Sequence, residues 1–372
     1  MIYLFVLGRD HELSKLEIES LLENKGINFR ILDESREVLS LECGGLDPNI
    51  IDEFGGVIKI AKVISNTNRI DEIEANLDNS DLYNGKSNKI QYFITPFNTD
   101  LLSFVEDYLK DYFKTIKVKA LYRRDCDPSK LIKRNIIENG FDIVIFKNLI
   151  GKTIAAYNPL ELKKRDVGRP QVDYKRVISI RLAKILINIS KVKKNEILLD
   201  PFSGSGTILQ EALLKEINVI GLDNDSESVK QAEENIKWLV KNYNIKNKFQ
   251  ILKLDCRKLR EKIKDNSIDG VVTEPYMGPF IKKLPSIPEA RKLVSELSFL
   301  YMDLLNNLKH VVRIGKRIVI VMPKFRTREN KILSIDFRGI AESNGFDLAA
   351  NPINYGYKDS KLLREIYVLE RQ

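Results

Sequence analysis

The sequence predicts an α/β protein in two parts: an α+β region of short elements, then a half built on a mostly parallel sheet with helices on both faces. Three observations predict this. From about residue 175, strand-sized apolar runs alternate regularly with amphipathic helices. Residues 1–157 carry short strands and few helices without that regularity. Between them, NPLELKKRDVGRPQVD (158–173) is polar and basic, holds two prolines and one glycine, and reads as a linker or strap. The expected division is therefore 1–157, a strap at 158–173, and 174–372, and a chain of 372 residues suits two domains.

The elements follow in order. Ile2–Leu7 is apolar and reads as a first core strand. In HELSKLEIESLLENKG, Leu13, Leu16, Ile18, Leu21 and Leu22 recur at near-helical spacing and Gly26 is a stop signal. Alternating runs near Phe29–Leu32 and Val38–Cys43 read as strands, as does Gly55–Ile64 after a Gly-Gly turn. NLDNSDLYNGKSNK reads as loop. Ile90–Ile94 is a strand, Leu101–Phe113 a helix and Lys117–Tyr122 a basic strand. Phe141–Lys147 and Lys152–Tyr157 form a hairpin with its turn at Asn148–Gly151. The second half opens with a helix in RVISIRLAKILINIS. Strand Ile197–Asp200, helix Thr207–Leu214, strand Val219–Asp223, helix Ser226–Tyr243 and strands Phe249–Leu254 and Ile268–Thr273 follow. A long helix near Pro288–His310 and strand Arg317–Met322 complete the pattern.

Composition narrows the function classes. A hydrophobic content of 43% is ordinary for a soluble globular protein, and no apolar run approaches the roughly 18 residues of a membrane span. MIYLFVLGRD lacks the basic start and small-residue cleavage site of a secretory leader. Cys43, Cys126 and Cys256 are widely separated, and there are two histidines, which excludes a Cys/His metal site and suits the reducing cytoplasm. The net charge of +9 is uneven: residues 1–100 hold 10 Lys+Arg against 18 Asp+Glu, and the rest hold 51 against 34. That asymmetry points to a polyanionic partner; a Lys-rich solvated surface explains it about as well.

In parallel sheets ligands sit past the carboxyl ends of the strands. The loop in LLDPFSGSGTILQEA runs from a strand directly into a helix, and Gly204 and Gly206 let its backbone approach a ligand. It lacks the third glycine of the dinucleotide fingerprint and the lysine of a P-loop. Asp200 at the strand tip would repel a pyrophosphate and suits an ammonium. Asp223 ends the next strand about 20 residues on, where an acid commonly takes a ribose hydroxyl pair. Asp225 reads as the cap of the following helix. Asp255 ends a third strand and could accept from an adenine amino group, or cap a helix and pair with Arg257. Glu274 stands in TEPYMGP at a fourth tip, where an acid beside an apolar strand end is costly unless something bonds to it.

Three strand-tip acids together with DPFxGSGT resemble the class I S-adenosylmethionine-dependent methyltransferases, a Rossmann-like fold, of the amino-methylating kind. Those carry an acid-Pro-Pro-aromatic motif where TEPYMGP stands. A gap-free register puts Glu274 on the acid, Pro275 on the first proline and Tyr276 on the second. A shift by one keeps Pro275 and Tyr276 on the Pro-Tyr pair and leaves Thr273 at the acid position. LGRDHELSKLEIESLL, KRDVGRP and RVISIRLAKILINIS extend the similarity to the tRNA guanine-N2 methyltransferases of the guanosine-10 type, in which a ferredoxin-like segment and a THUMP module precede the catalytic domain.

The resemblance implies S-adenosylmethionine as cofactor and tRNA as partner, with no metal and no membrane. It implies a monomer, with an accessory subunit as the alternative. It assigns Glu274, Pro275 and Tyr276 to the target base. Asp200, Phe202, Gly204, Gly206, Thr207, Asp223, Asp255 and Cys256 would hold the cofactor, and core packing is an equal reading for Phe202. Lys119, Arg123, Arg124 and Arg169 are candidate phosphate contacts, each with a solvated surface role as its plainer reading. Two rivals stand: an N6-adenine or N4-cytosine DNA methyltransferase, and a tRNA-binding protein with a decayed methyltransferase site.

Overall fold

The computed structural model describes residues 1–80, 82–83, 85, 87–123, 131, 140–171, 178–356 and 360–372. They form two compact units, Met1–Val167 and Gly168–Gln372.

The first unit contains β1 (Ile2–Leu7), α1 (His11–Asn24), β2 (Phe29–Glu34), β3 (Val38–Cys43), a 3-10 helix (Pro48–Glu53), β4 (Val57–Ser65) and α2 (Ile70–Asp78). It continues with β5 (Lys89–Phe97), α3 (Leu102–Thr115), β6 (Lys119–Arg123), β7 (Phe141–Phe146) and β8 (Leu149–Ala156). Its eight strands make one mixed sheet in the order β2-β3-β1-β4-β8-β7-β5-β6. The amphipathic face expected of α1 buries Leu13, Ile18, Leu21 and Leu22, and Ile18, Leu21 and Leu22 join Phe5 of β1 in one core cluster.

Three details differ from the sequence reading. The hairpin turns at Lys147–Asn148, because Lys147 adopts φ 54 and the strand resumes at Leu149. α2 occupies a stretch assigned no helix, and its last residues fall in the segment read as loop; Ile73 and Leu77, one helical turn apart, are its buried side. The strap holds a helix, α4 (Pro159–Gly168). Its interior, LELKKRDV, is mostly good helix formers, with Pro159 at the first turn and Gly168 at the end. Asn158 caps it, its Oδ1 accepting from Leu160 N at 3.0 Å.

The second unit is the strand–helix alternation. It comprises α5 (Ile180–Ile189), β9 (Ile197–Asp200), α6 (Thr207–Leu214), β10 (Asn218–Asp223), α7 (Ser226–Asn242), β11 (Phe249–Lys253), a 3-10 helix (Cys256–Glu261), β12 (Gly270–Thr273) and α8 (Ile287–Val311). After these come β13 (Arg317–Arg326), β14 (Ile332–Ser334), α9 (Phe337–Ser343), β15 (Phe346–Tyr355) and β16 (Leu362–Arg371). The sheet order is β11-β10-β9-β12-β13-β16-β15, with β14 beside β13. β11 through β13 run parallel, and β16 returns antiparallel against β13 and β15. The strand order reverses at β9, so the crevice at its carboxyl end, between the loops of β9, β10 and β12, is the ligand position of such sheets.

α8 is fixed by a capping box. Ser286 receives Glu289 N, and the Glu289 carboxylate receives Ser286 N. Its inner face buries Leu297, Tyr301, Leu304, Leu305 and Leu308 against the core of this unit.

Candidate active site

β9 and β12 are neighbours, with Leu199 opposite Val271, so their tips Asp200 and Thr273 meet. Thr273 Oγ1 donates to Asp200 Oδ1 at 2.7 Å, and Phe202 N donates to the same oxygen at 3.1 Å. Asp200 is 1% exposed. Burial pushes its carboxyl up to about 7; the two donors pull it down, and the nearby charges of Asp223 and Glu274 push it up again. Its charged neighbours are therefore acids, and its donors are neutral. Such a group gains from an arriving cation.

The glycine loop lies beside it. Gly204 and Gly206 adopt φ 49 and 82, and Gly206 precedes α6. Asp223, at the tip of β10, holds the loop: its Oδ2 accepts Gly204 N at 3.0 Å and its Oδ1 accepts Asp225 N at 2.9 Å. Asp225 caps α7 through Ser228 N. Buried Asn235 of α7 donates to Ser205 O and Gln171 O, both at 2.9 Å, and ties the loop to the segment before α5. A Cβ placed on Gly204 would meet nothing within 4 Å, so the loop backbone faces open space beside two acids. That arrangement fits S-adenosylmethionine, which carries an ammonium and a ribose diol.

Asp255 sits differently. It caps the 3-10 helix, accepts from Arg257 N at 2.9 Å and pairs with the Arg257 guanidinium at 2.6 Å, which holds its carboxyl down to about 2. It stays ionised as an acceptor, but it carries its own cation. The Cys256 side chain is buried in the core, and burial pushes its thiol up to about 12. Phe202 is partly buried and packs on that same core.

The acceptor loop leaves β12. Glu274 is largely buried, which raises its carboxyl, and Arg364 of β16, whose Nε lies 3.0 Å from Oε1, works against that rise. Pro275 is buried. The Tyr276 carbonyl accepts the hydroxyl of buried Tyr301 at 2.7 Å, while its side chain stays outside at 55% exposure. Phe280 is 81% exposed on the same loop. Gly278, at φ 92, turns the chain between them.

Of the phosphate candidates, Lys119 and Arg123 are exposed on β6, an edge strand of the first unit's sheet. Arg124 lies outside the described residues. Arg169 is a correction: it is 4% exposed and its Nη1 donates to Thr207 Oγ1 at 2.7 Å, at the start of α6. A guanidinium so placed anchors the glycine loop and does not reach a phosphate.

Sequence reasoning missed Asn235, Tyr301 and Arg364. Sequence reasoning reached Thr273, at the acid position of the shifted register. The others reach the site through tertiary packing.

Known proteins resemble the chain at several levels. Residues 169–347 match the family described as UPF0020: RMKL-like, methyltransferase domain. A tRNA (guanine(10)-N2)-dimethyltransferase of Methanothermobacter thermautotrophicus is 37% identical over 105 residues, 28% of this chain and 29% of that protein. The chain thus spans under a third of the length of that relative. A protein of the same name from Methanocaldococcus jannaschii is 25% identical over 79% of this chain and 87% of its own. Among solved structures, TrmN from Thermus thermophilus aligns over the whole of both chains, with TM-score 0.53 and 16% identity, a likeness of fold.

Proposed function

We infer that this chain, a member of the tRNA guanine-N2 methyltransferase family, transfers a methyl group from S-adenosylmethionine to the exocyclic N2 of a guanosine in tRNA, position 10 by resemblance. The observation that carries this reading is the grouping of Asp200, Asp223 and Glu274 at the tips of adjacent strands beside an open glycine loop. The relatives' names point to the same acceptor.

S-adenosylmethionine supplies an electrophilic methyl on a sulfonium. Asp200 would take its ammonium, the Gly204–Gly206 backbone would lie along it, and Asp223 would accept from the ribose hydroxyls. Asp255 would accept from the adenine amino group with the lone pairs Arg257 leaves. On the other side, guanine N2 is a weak nucleophile because its lone pair is delocalised into the ring. Inside a stem it is also out of reach, so the base must be extracted at a cost of a few kcal/mol. Glu274 accepts one N2–H and the Pro275 carbonyl another. This returns electron density to nitrogen and fixes its direction of attack. The exposed ring of Tyr276 stacks on the base. Glu274 then takes the released proton.

The first unit would hold the tRNA, as a THUMP-type module does, in a monomeric enzyme of the cytoplasm. Among the described residues, no helix is long and apolar enough to cross a membrane.

The test is methyl transfer from labelled S-adenosylmethionine to unmodified tRNA and, in parallel, to duplex DNA, with nucleoside digestion and mass spectrometry. N2-methylguanosine from tRNA alone is the expected product. Methylated adenine or cytosine would move the substrate to DNA. No product with tRNA still bound would leave a binding protein.

A further inference from the structure

The acid at the acceptor position is a glutamate, and its charged neighbour comes from far along the chain. Arg364 lies on β16, opposite Pro323 of β13 on one side and Tyr355 of β15 on the other. Its Nε, buried and without a directed hydrogen bond, sits 3.0 Å from Glu274 Oε1. The adjacent acid on β16, Glu365, is taken: Lys324 of β13 pairs with its Oε1 at 2.5 Å, and Tyr367 donates to its Oε2 at 2.9 Å. Arg364, whose side chain is 40% exposed, pairs with Glu274.

The groups acting on Glu274 oppose one another. Burial disfavours its ionised form, and its charge in turn raises the carboxyl of Asp200 on β9. Asp223 of β10 acts on Asp200 in the same direction. Arg364 is the cation set against them. The contact recorded between them joins Nε to Oε1 at 3.0 Å. An N2–H donor needs an ionised oxygen held at a fixed place, and a buried glutamate with a long, flexible stem supplies neither alone.

We propose that Arg364 is the positioning residue of the acceptor site: through its 3.0 Å contact it holds the Glu274 carboxylate in place to receive the amino group of the extracted guanine. The inference rests on the guanine-N2 reading and adds to it the element that supports the acid.

The experiment is single-turnover methyl transfer to tRNA across pH 5.5–9 at saturating cofactor, in wild type, Arg364→Gln, Arg364→Lys and Glu274→Gln. S-adenosylmethionine affinity serves as the check that the fold is intact. Arg364→Gln is expected to slow transfer about 10- to 100-fold at pH 7. It should move the acid limb of the profile to higher pH, because without the cation Glu274 keeps its proton longer. Cofactor affinity should stay near wild type, and Arg364→Lys should restore part of the rate and part of the limb. In the Glu274→Gln background, Arg364→Gln should add little. Wild-type rate and limb in Arg364→Gln would overturn the inference alone. So would an equal loss at every pH that lysine does not relieve, which marks a structural role. A wild type that makes no N2-methylguanosine would overturn the functional reading and this inference with it.

Discussion

Asp142 and Asp200 are both buried carboxylates in eight-stranded sheets, 3% and 1% exposed, and they stand in opposite surroundings. Asp142 of β7 receives Lys59 Nζ at 2.8 and 3.1 Å and the Thr153 hydroxyl, and Lys59 donates again to Thr95 at 2.8 Å. Four strands, β4, β5, β7 and β8, each contribute one member. Asp200 receives one hydroxyl and one amide, and the charges that act on it are acids. Asp142, met by a cation and a hydroxyl from its own sheet, has its charge satisfied inside the fold and ties those strands together. A buried acid left among acids is poised for a cation from outside. The charge of Asp142 is thus closed within its sheet, and that of Asp200 is left open where strands and glycine loop converge.

The largest expected effect tests the open side. Glu274→Ala should slow methyl transfer about 10³-fold or more, since the acceptor amino group loses its hydrogen-bond acceptor. S-adenosylmethionine affinity by calorimetry should hardly change. Unaltered turnover would remove Glu274 from the chemistry and return the acceptor side to mere loop. Next comes the closed side. Asp142→Ala leaves Lys59 buried without its carboxylate and should destabilise the first unit by about 3–5 kcal/mol. Denaturant unfolding reads this directly. A loss under 1 kcal/mol would show the network to be incidental and weaken the contrast.

Asp200→Asn should have the opposite sign. The Asp200 carboxyl titrates at about 7 in the folded protein against 3.8 ordinarily, so the folded state holds this proton more tightly than the unfolded chain. Its ionisation therefore costs stability. The cost is absent below the ordinary carboxylate range, grows as pH rises through it, and levels off above pH 7. Without cofactor, the asparagine variant should be more stable than wild type by on the order of 2 kcal/mol above pH 7. The gain should vanish near pH 4, while cofactor affinity falls. Thermal melts across that range check it. A variant less stable than wild type at every pH would make Asp200 architectural, like Asp142.

This contrast also marks what the sequence could reveal. Asp200, Gly204, Gly206, Thr207 and Asp223 fall within one strand–loop–helix–strand unit, so their grouping follows from local spacing, and the α/β alternation around them is equally local. Arg364 joins Glu274 only because β16 returns antiparallel beside β13, and Lys59 meets Asp142 across a sheet whose strand order is far from chain order. Neither pairing leaves a trace in spacing. Arg169 misled for a related reason: a basic strap suggests phosphate, but charge in a sequence says nothing of burial, and this guanidinium lies under the glycine loop. The strap's helix was hidden by its flanking Pro159 and Gly168, which punctuate a helix as readily as they make a linker.

The smallest effect concerns the outer edge of the closed unit. Lys119 and Arg123 are exposed on β6, parallel to β5, with exposed Leu121 between them and Lys119 opposite Lys89, so one edge of the first sheet carries a short row with three cations. Cations on an edge strand also discourage edge-to-edge association, which gives the same residues a purely protective explanation. Salt separates the two. A phosphate contact releases a condensed counterion, so each one lost flattens the dependence of log K on log salt by somewhat under one unit. Lys119→Ala with Arg123→Ala should weaken tRNA binding a few-fold at low salt, reduce the slope by about one to two, and leave the single-turnover rate at saturating tRNA unchanged. An unaltered slope would assign the row to solubility. A changed saturating rate would mean that the first unit reaches into the chemistry, and the division between a closed unit that holds and an open unit that reacts would have to be redrawn.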